Sequence, residues 1–538
     1  MAHYHYRPFP YESPPELAGG TVPERYPVVI VGAGPIGLTA AIELALHEIP
    51  SVVLDDNDRV SVGSRAICWS KRTLEIFDRL GVGARMLDKG VTWKLGRLFH
   101  RDSEVFSFDL LPEDGHKMPA FINLQQYYVE EYLIDRARDF PDLIDLRWKN
   151  RVVACHQNED GAVVTAETPD GTYTLASDYV IACDGAHSPT RAMLGLDMAG
   201  QAFRERFLIA DVQMKADFPS ERWFWFEPPF HSGHSALLHK QPDDIYRIDL
   251  QLGPEADPVA EKQPENVIPR IRAMVGDVPF ELDWVSVYSF QCRRLERFRH
   301  GRILFAGDSA HVVSPFGARG GNGGIQDVDN LVWKLAAVLK GRAPEGLLET
   351  YDAERIHGAD ENIRHSTRAT NFMTPKSRME KLLRDSVLNL AHHHSFARAL
   401  VNSGRLSRPC NLEGFDLQSP TPEGCPLASG APCPDAPVTK GPSTWLLDYL
   451  GGRFKVLSTG DVVPEVPQGL DHIHVGAVNR ESGKARFLGD CEGYVAARYG
   501  VGWVHLIRPD QHVAASVPVD EAGRLGTGLE RAQGGFLQ

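Results

Sequence analysis

The sequence predicts an α/β protein: a doubly wound Rossmann-type domain, an inserted β-sheet domain and a further α/β domain at the C-terminal end. Three observations predict it. From Tyr26 the chain reads YPVVIVGAG, PIGLTAAIELALHEI, PSVVLDD, a strand, glycine turn, helix and strand in succession. Residues 201–300 are rich in strand-like runs (RWFWF, SALLH, IYRIDLQLG) that interrupt a pattern resumed at GRILFAGDSAH. A stretch dense in Pro, Gly and Ser, SPTPEGCPLASGAPCPDAP, then sets off a mixed tail ending near VGWVHLIRPDQHV.

In chain order, residues 1–25 carry Pro, Tyr and Glu without periodicity and read as an irregular arm. The βαβ unit opens a dinucleotide-binding domain of residues 26–200 and 301–405. Within it, helices are expected near Lys71–Leu80 and Gln126–Phe140, the second placing Val129, Leu133, Ile134 and Ala137 on one face. The alternating runs RVVACH and AVVTAET read as hairpins leading into the apolar strand YVIACDG. Residues 201–300 form the inserted sheet, and helices dominate from Ile325 to about Arg405. A linker is expected at 406–430 and the tail domain at 431–538.

The chain has 538 residues, 43% apolar and 24% charged, as globular proteins do. With 57 basic and 71 acidic side chains its net charge is −14, so nothing draws the whole molecule to nucleic acid or anionic lipid. The eight cysteines form no CxxC pair, which argues against a disulfide scaffold or zinc ribbon and for reduced thiols in the cytoplasm. No metal site is expected. The most apolar stretch, Val28 to Leu46, is broken by glycines, Pro35 and Glu43, and the first twenty residues lack a signal-peptide core. Neither a membrane span nor export is expected.

Gly32-Ala33-Gly34-Pro35-Ile36-Gly37 is a GxGxxG directly after a strand and opening a helix. Gly32 permits the tight turn, Gly34 lets a pyrophosphate approach the backbone, and Gly37 lets helix pack on strand. The helix N-terminus adds free amides and a positive dipole end. Asp55 closes the next strand, placed to accept from a ribose hydroxyl. This motif serves FAD and NAD alike, and three further segments separate them. Gly307-Asp308 follows the strand RILFA, where a carboxylate can grip a polyol such as a ribityl chain. The loop from Pro315 through Phe316, Gly320, Gly321 and Asn322 leads into a helix spanning Gln326 to Leu339, and its amides suit negative charge on a reduced flavin ring. Asp184-Gly185-Ala186-His187-Ser188, with Arg191, ends the strand YVIAC as a dinucleotide niche would.

GAGPIG, CDGAHSPTR and GDSAHVVSPFGARGGNGG, in that order and at these separations, resemble the single-component FAD-dependent aromatic hydroxylases, which include p-hydroxybenzoate hydroxylase and phenol hydroxylase. The run DNDRVSVGSRAICWSKRTLEIFDRLG and the tail look like the branch containing 3-(3-hydroxyphenyl)propionate hydroxylase. The resemblance implies FAD as cofactor, with Gly32, Gly34, Pro35, Gly37 and Asp55 at its ADP half. It implies cofactor contacts by Arg65 and Gln126, a ribityl contact by Asp308 beside Gly307, and Pro315, Gly320, Gly321 and Asn322 near the isoalloxazine. Asp184 and Arg191 would serve both FAD and NAD(P)H. Arg319-Gly320-Gly321 carries more glycine than many relatives.

The reaction so implied is reduction of FAD by NADH or NADPH, formation of a C4a-hydroperoxide with O₂, and oxygen transfer to a phenolic ring, with the protein excluding water and orienting the ring. A phenol or phenolic acid suits the inserted sheet, where Trp223 and Trp225 share one strand face and Tyr246 opposes Arg247. The candidate catalytic residues are Tyr246, Arg247 and Pro315, and the candidate substrate contacts are Trp223, Trp225, Tyr246 and Phe316. Arg247 would clamp a carboxylate. His311 reads as structural, and the arginines of QCRRLERFRHGR as a salt-bridged face. The tail resembles the thioredoxin-like domain of phenol hydroxylases without its CxxC, which suggests packing or dimerisation, so a homodimer is expected. Other readings are a halogenase or oxidase of the same FAD fold, since RWFWFEPP matches the halogenase W-x-W-x-I-P box in part, or a non-catalytic flavin-binding protein.

Overall fold

The structure is a computed structural model and describes residues 4–401, 408–476 and 485–536. Five parallel strands form the first sheet in the order Ile144–Trp148, Ser51–Asp55, Tyr26–Val31, Gly171–Ala182 and Ile303–Phe305, edged by the antiparallel Arg299–His300. Strands buried on both faces read as unbroken apolar runs, and Val28 to Val31 and Val52 to Leu54 are fully buried here. The crossover helix Pro35–Leu46 packs between Gln126–Ala137 and Gly320–Leu339. The expected hairpin is present as Arg151–Gln157 against Ala162–Thr168. The helices expected near Lys71 and Gln126 span Lys71–Arg79 and Gln126–Ala137.

The inserted sheet has eight strands in the order His311–Val312, Phe280–Arg294, Ala199–Met214, Ile245–Leu252, Ser235–Lys240, Arg222–Phe226, Leu95–His100 and Ser103–Asp109. Three of its strands, His311–Val312, Leu95–His100 and Ser103–Asp109, come from outside residues 201–300. Leu95–His100 pairs in parallel with Arg222–Phe226, a contact between segments far apart in sequence and invisible to local periodicity. One face packs under the helix Pro264–Val275, with Leu208, Ala210, Tyr246, Ile248 and Leu250 buried there. The other face, with Phe207, Phe226, Leu237 and Phe290, looks toward the first domain.

The N-terminal arm is not loose. Phe9 stacks on Trp148 at 4.6 Å, Tyr4 donates to Glu131 at 2.6 Å, and Pro15–Ala18 forms one helical turn. The expected linker at 406–430 begins at residues 406 and 407, outside the described residues. The tail builds a five-stranded mixed sheet, with Lys455–Thr459, Asp471–Val475 and Arg486–Leu488 parallel and Trp503–Ile507 and Val513–Pro518 antiparallel. Four of the five arginines of residues 291–302 are salt-bridged, Arg294 to Asp360, Arg297 to Asp352, Arg299 to Glu349 and Arg302 to Glu345, while Arg293 donates to the Met198 carbonyl. All eight cysteines are free thiols. No described helix is long and apolar enough to cross a membrane.

Candidate functional site

The GAGPIG turn has the form its sequence implies. Gly32 sits at φ +103°, and a Cβ there would lie 2.6 Å from the Cys183 carbonyl oxygen. Any side chain at Gly37 would overlap the Gly32 carbonyl oxygen. At Gly34 nothing lies within 4 Å of the place a Cβ would take. The backbone ahead of the helix Pro35–Leu46 therefore faces open space, as a pyrophosphate cradle must. Asp55 accepts from the Ala33 amide at 2.6 Å and the Asn57 amide at 2.8 Å, which fixes its carboxylate beside the turn, and burial raises its pKa.

The second motif closes on the first. The helix expected from Gln326 begins at Gly320, so the glycines form its opening turns instead of a preceding loop. Close packing is the reason: a Cβ at Gly324 would lie 2.9 Å from Gly307 Cα and 2.6 Å from Ile36 of the GAGPIG helix. The Gly307 amide donates to Asp327 at 3.0 Å, and Asp327 also holds His311 at 2.6 Å and Arg355 at 2.7 Å. Burial disfavours ionised Asp327, but His311 and Arg355 outweigh it and bring its pKa to about 2. His311 is thus a structural partner of the flavin-type helix. Asp308 behaves differently: its carboxylate makes no hydrogen bond among the described residues, and burial raises its pKa. The first amides of the helix lie beside it, with the Gly320 Cβ position 3.8 Å from Asp308 Oδ1. An unsatisfied carboxylate next to a helix N-terminus fits a polyol carrying an anionic group.

Asn322 is buried with its side chain fully engaged: it accepts from the Ser70 amide at 2.9 Å and donates to the carbonyls of Cys68 (2.9 Å) and Ala318 (2.6 Å). It shapes the loop. Pro315 is exposed and its carbonyl caps a turn at Ala318, a non-glycine residue at φ +53°. Gly321 lies over Trp69 and Ala66. Arg65, at φ +35°, is exposed near Asp308 and Tyr288. Gln126 donates to Glu130 and accepts from the Ala66 amide, so it buttresses the Arg65 segment. Asp184 accepts from Ser188 and the Thr190 amide, and Arg191 donates to the Ser309 carbonyl at 3.0 Å, tying the CDGAHSPTR turn to the GDS turn.

On the inserted sheet the alternation holds but the assignment of faces reverses. Trp223 and Trp225 pack with Tyr246 in the cluster under the helix Pro264–Val275, and the Tyr246 hydroxyl donates to the Ala216 carbonyl at 2.8 Å. Neither these tryptophans nor Tyr246 reaches the cleft. Arg247 lies on the opposite, site-facing side, but its Nε donates to Asp249 (3.1 Å) and its Nη1 to the Arg65 carbonyl (2.6 Å). The cleft is lined by the other edge of RWFWF, Arg222, Phe224 and Phe226, with Phe316, Phe372 and Arg319, and has a volume of about 110 Å³. Phe316 is buried against Phe207 and Phe290, so of the expected substrate contacts it alone lies at the cleft. A larger polar cavity of about 360 Å³ adjoins it through Arg319 and His365. Tyr288, registered with Phe207, is the tyrosine on the site-facing side; it lies half-exposed near Asp308 and Arg247, and removal from water raises its phenol pKa. Counting odd and even positions of RWFWF identified two faces; which one faced the site depended on the covering helix. In the halogenase-like RWFWFEPP, Glu227 is paired with Arg384 at 2.5 Å.

Two glycine-opened helices meeting around an unsatisfied acid define an FAD-type dinucleotide fold with an aromatic-lined cleft at its flavin-side loop. The chain belongs to the FAD binding domain family, whose match covers residues 25–366. It is 33% identical over 475 residues to a flavin-dependent monooxygenase of Mycobacteroides abscessus, covering 82% of this chain and 90% of that one. It is 31% identical to a 12-dehydrotetracycline 5-monooxygenase/anhydrotetracycline 6-monooxygenase of Streptomyces rimosus (81% and 85% covered). With a 3-(3-hydroxy-phenyl)propionate/3-hydroxycinnamic acid hydroxylase of Mycolicibacterium gilvum it shares 31% identity (68% and 63%). The fold matches that of the flavin-dependent monooxygenase PieE, crystallised with FAD and substrate, at TM-score 0.77 and 23% identity over 95% of this chain and all of that one. The protein is an FAD-dependent monooxygenase.

Proposed function

We propose that this chain hydroxylates a phenolic ring with O₂ and NADH or NADPH. The observation that carries the proposal is the joining of the two glycine turns, through Gly324, Gly307 and Ile36, to a loop whose Phe316 borders an aromatic cleft. FAD supplies hydride acceptance and oxygen activation when bound. The chain's own residues do the rest. The amides at Gly34 and the helix start at Pro35 receive the pyrophosphate, and Asp55 and Asp308 hold the ribose and the ribityl chain. The amides at Gly320 and Gly321, at the positive end of a helix, favour negative charge on the flavin ring. Asn322, Arg191 and Gln126 keep these segments in place. The phenylalanines of the cleft exclude water and sandwich the ring, and Tyr288 stands on the same face of the sheet within electrostatic reach of Asp308 and Arg247.

Free thiols throughout support a cytoplasmic setting. Exposed Met379, Leu382 and Leu383 on the helix Arg378–Ala391 support a homodimer, which light scattering of the purified protein tests. The functional test is to purify the protein, measure bound flavin, and follow NADH and NADPH oxidation with monocyclic phenols. Stoichiometric flavin and phenol-stimulated formation of a hydroxylated product are expected. Bound flavin with NAD(P)H oxidation that no phenol stimulates would overturn the hydroxylase reading.

A further inference from the structure

Three side chains with ligand chemistry meet at the ends of two strands of the inserted sheet. His100 closes the strand Leu95–His100, Glu227 follows the strand Arg222–Phe226, and Asp385 lies on the helix Arg378–Ala391. His100 and Phe226 are register partners in the parallel pair, which sets Glu227 beside the imidazole. One donor atom from each of the three lies within 4.8 Å of the other two. The residues come from segments far apart in sequence, so no motif announces them, and no metal site was expected.

The imidazole separates this cluster from an ordinary ion-pair corner. The His100 side chain is 9% exposed, and its Nε2 has no hydrogen-bond partner among the described residues. A buried ring nitrogen left in this state calls for a ligand. Nε2 stands 3.9 Å from Asp385 Oδ1, too far for a hydrogen bond. Two ligands each about 2.0–2.2 Å from one zinc ion lie at most about 4 Å apart, so this pair already has a ligand-to-ligand separation. Burial outweighs the pull of Asp385 and lowers the His100 pKa, which favours the neutral ring that ligates. Glu227 adds a second mark: it is a non-glycine residue at φ +51°, a strained backbone that turns its carboxylate out of the strand. Lys381 and Arg384 hold Glu227 through Oε1, and Arg384 holds Asp385 through Oδ1. Among the described residues nothing engages Glu227 Oε2 or Asp385 Oδ2. Carboxylates that ligate a metal ordinarily carry such outer partners, which orient them. The two cations also offset the acids' charge, so they moderate the affinity.

We propose that His100, Glu227 and Asp385 form a binding site for a divalent transition-metal ion, Zn²⁺, that clips the helix Arg378–Ala391 to the inserted sheet. One imidazole and two carboxylates suit zinc, whereas Mg²⁺ and Ca²⁺ take oxygen ligands throughout. Phe226, adjacent to Glu227, lines the cleft, so the clip fixes one end of the cleft wall. The site stands independently of the hydroxylase reading.

The flavin-loaded protein, freed of metal with a chelator and dialysed, is titrated with ZnCl₂ by calorimetry and with MgCl₂ in parallel. Saturable Zn²⁺ binding without Mg²⁺ binding is expected, with a Zn²⁺-dependent rise in the thermal unfolding midpoint. His100→Ala and Asp385→Asn should each weaken Zn²⁺ binding at least about tenfold and remove that rise. Far-UV circular dichroism and flavin content report whether each variant folds, and D385N keeps the Arg384–Glu227 pair if H100A does not fold. The exposed His393 and His394 are the competing zinc ligands, and replacing both by alanine should leave the site intact. Absence of saturable Zn²⁺ binding by the wild type, wild-type affinity in H100A or D385N, or loss of binding in the His393/His394 double variant would each overturn the site.

Discussion

At the flavin cradle, the chain presents backbone: Gly32, Gly34, Gly37, Gly307 and Gly324 bring amides and carbonyls within contact distance, and the Asp308 carboxylate beside them makes no hydrogen bond among the described residues. Where the same flavin-side helix meets the C-terminal unit, the material is charge. Arg508 grips Glu354 through two bonds, at 2.7 and 2.9 Å, and Asp510 at 2.6 Å, while Lys334 reaches Glu354 at 2.8 Å. Arg72 bridges Asp329 of that helix to Gln511 of the tail. All of these groups are buried. Burial opposes ionisation of Glu354, but Arg508 and Lys334 outweigh it and hold its pKa well down. Burial also lowers the pKa of Lys334, to about 8, despite Glu354. A site that receives a large anionic cofactor needs room and amide donors. A seam between two units needs fixed, mutually satisfied charges, because each partner alone would be a stranded ion. The two constructions fail differently under mutation.

The largest effect should come from closing the cradle. In Gly37→Ala the new methyl collides with backbone that cannot yield, so no folded flavoprotein is expected; soluble yield and flavin content measure this. Next is the seam. Glu354→Gln leaves Lys334 without its counter-charge and Arg508 with Asp510 alone, and should lower the unfolding free energy by about 3–5 kcal/mol, read by chemical denaturation. A seam variant that keeps full stability would show that the charges there are dispensable.

Asp327 lies between the two regions, joined to the Gly307 amide on one side and Arg355 on the other. Its folded pKa is about 2, below the ordinary value of 3.8, so its contribution is complete above the unfolded value and is lost as pH falls through the folded one. The difference corresponds to about 2 kcal/mol at neutral pH. Unfolding curves between pH 5 and 2 should show this loss in the wild type, and Asp327→Asn, already weaker at pH 7, should lack that component. The smallest effect on stability belongs to Gly34→Ala. Its extended backbone (φ −74°, ψ −178°) suits alanine and no protein atom is near. A change within about 0.5 kcal/mol is expected, with flavin affinity falling at least tenfold by titration of the apoprotein. If G34A binds flavin normally, Gly34 does not face the cofactor.

Much of the cradle was legible because its physics is local. A turn at φ +103° after a strand, and a helix opened by Pro35 and Gly37, are written in consecutive residues. The Asp308 segment was legible for the same reason. The start of the helix at Gly320 was missed because glycine ordinarily argues against a helix; here Ile36 and Gly307 press so closely that only glycine fits. The strands Leu95–His100 and Ser103–Asp109 were missed because their partner in the sheet lies far along the chain. The seam was invisible because Arg72, Glu354 and Arg508 are ordinary charged residues until they are brought together.

The substrate side shows the division most sharply. Alternation in RWFWF determined, from sequence alone, that Trp223 and Trp225 share one face and Arg222, Phe224 and Phe226 the other, since successive strand side chains point to opposite sides. Period two carries no information about which side is covered. That was decided by the helix Pro264–Val275, which buries the tryptophans with Tyr246, and by the first domain, which closes the other face into the cleft. The same holds for the arginines. The sequence determined that guanidinium groups would lie on this sheet, and only the tertiary structure decided that Asp249 would neutralise Arg247, because pairing depends on which charges folding brings within reach.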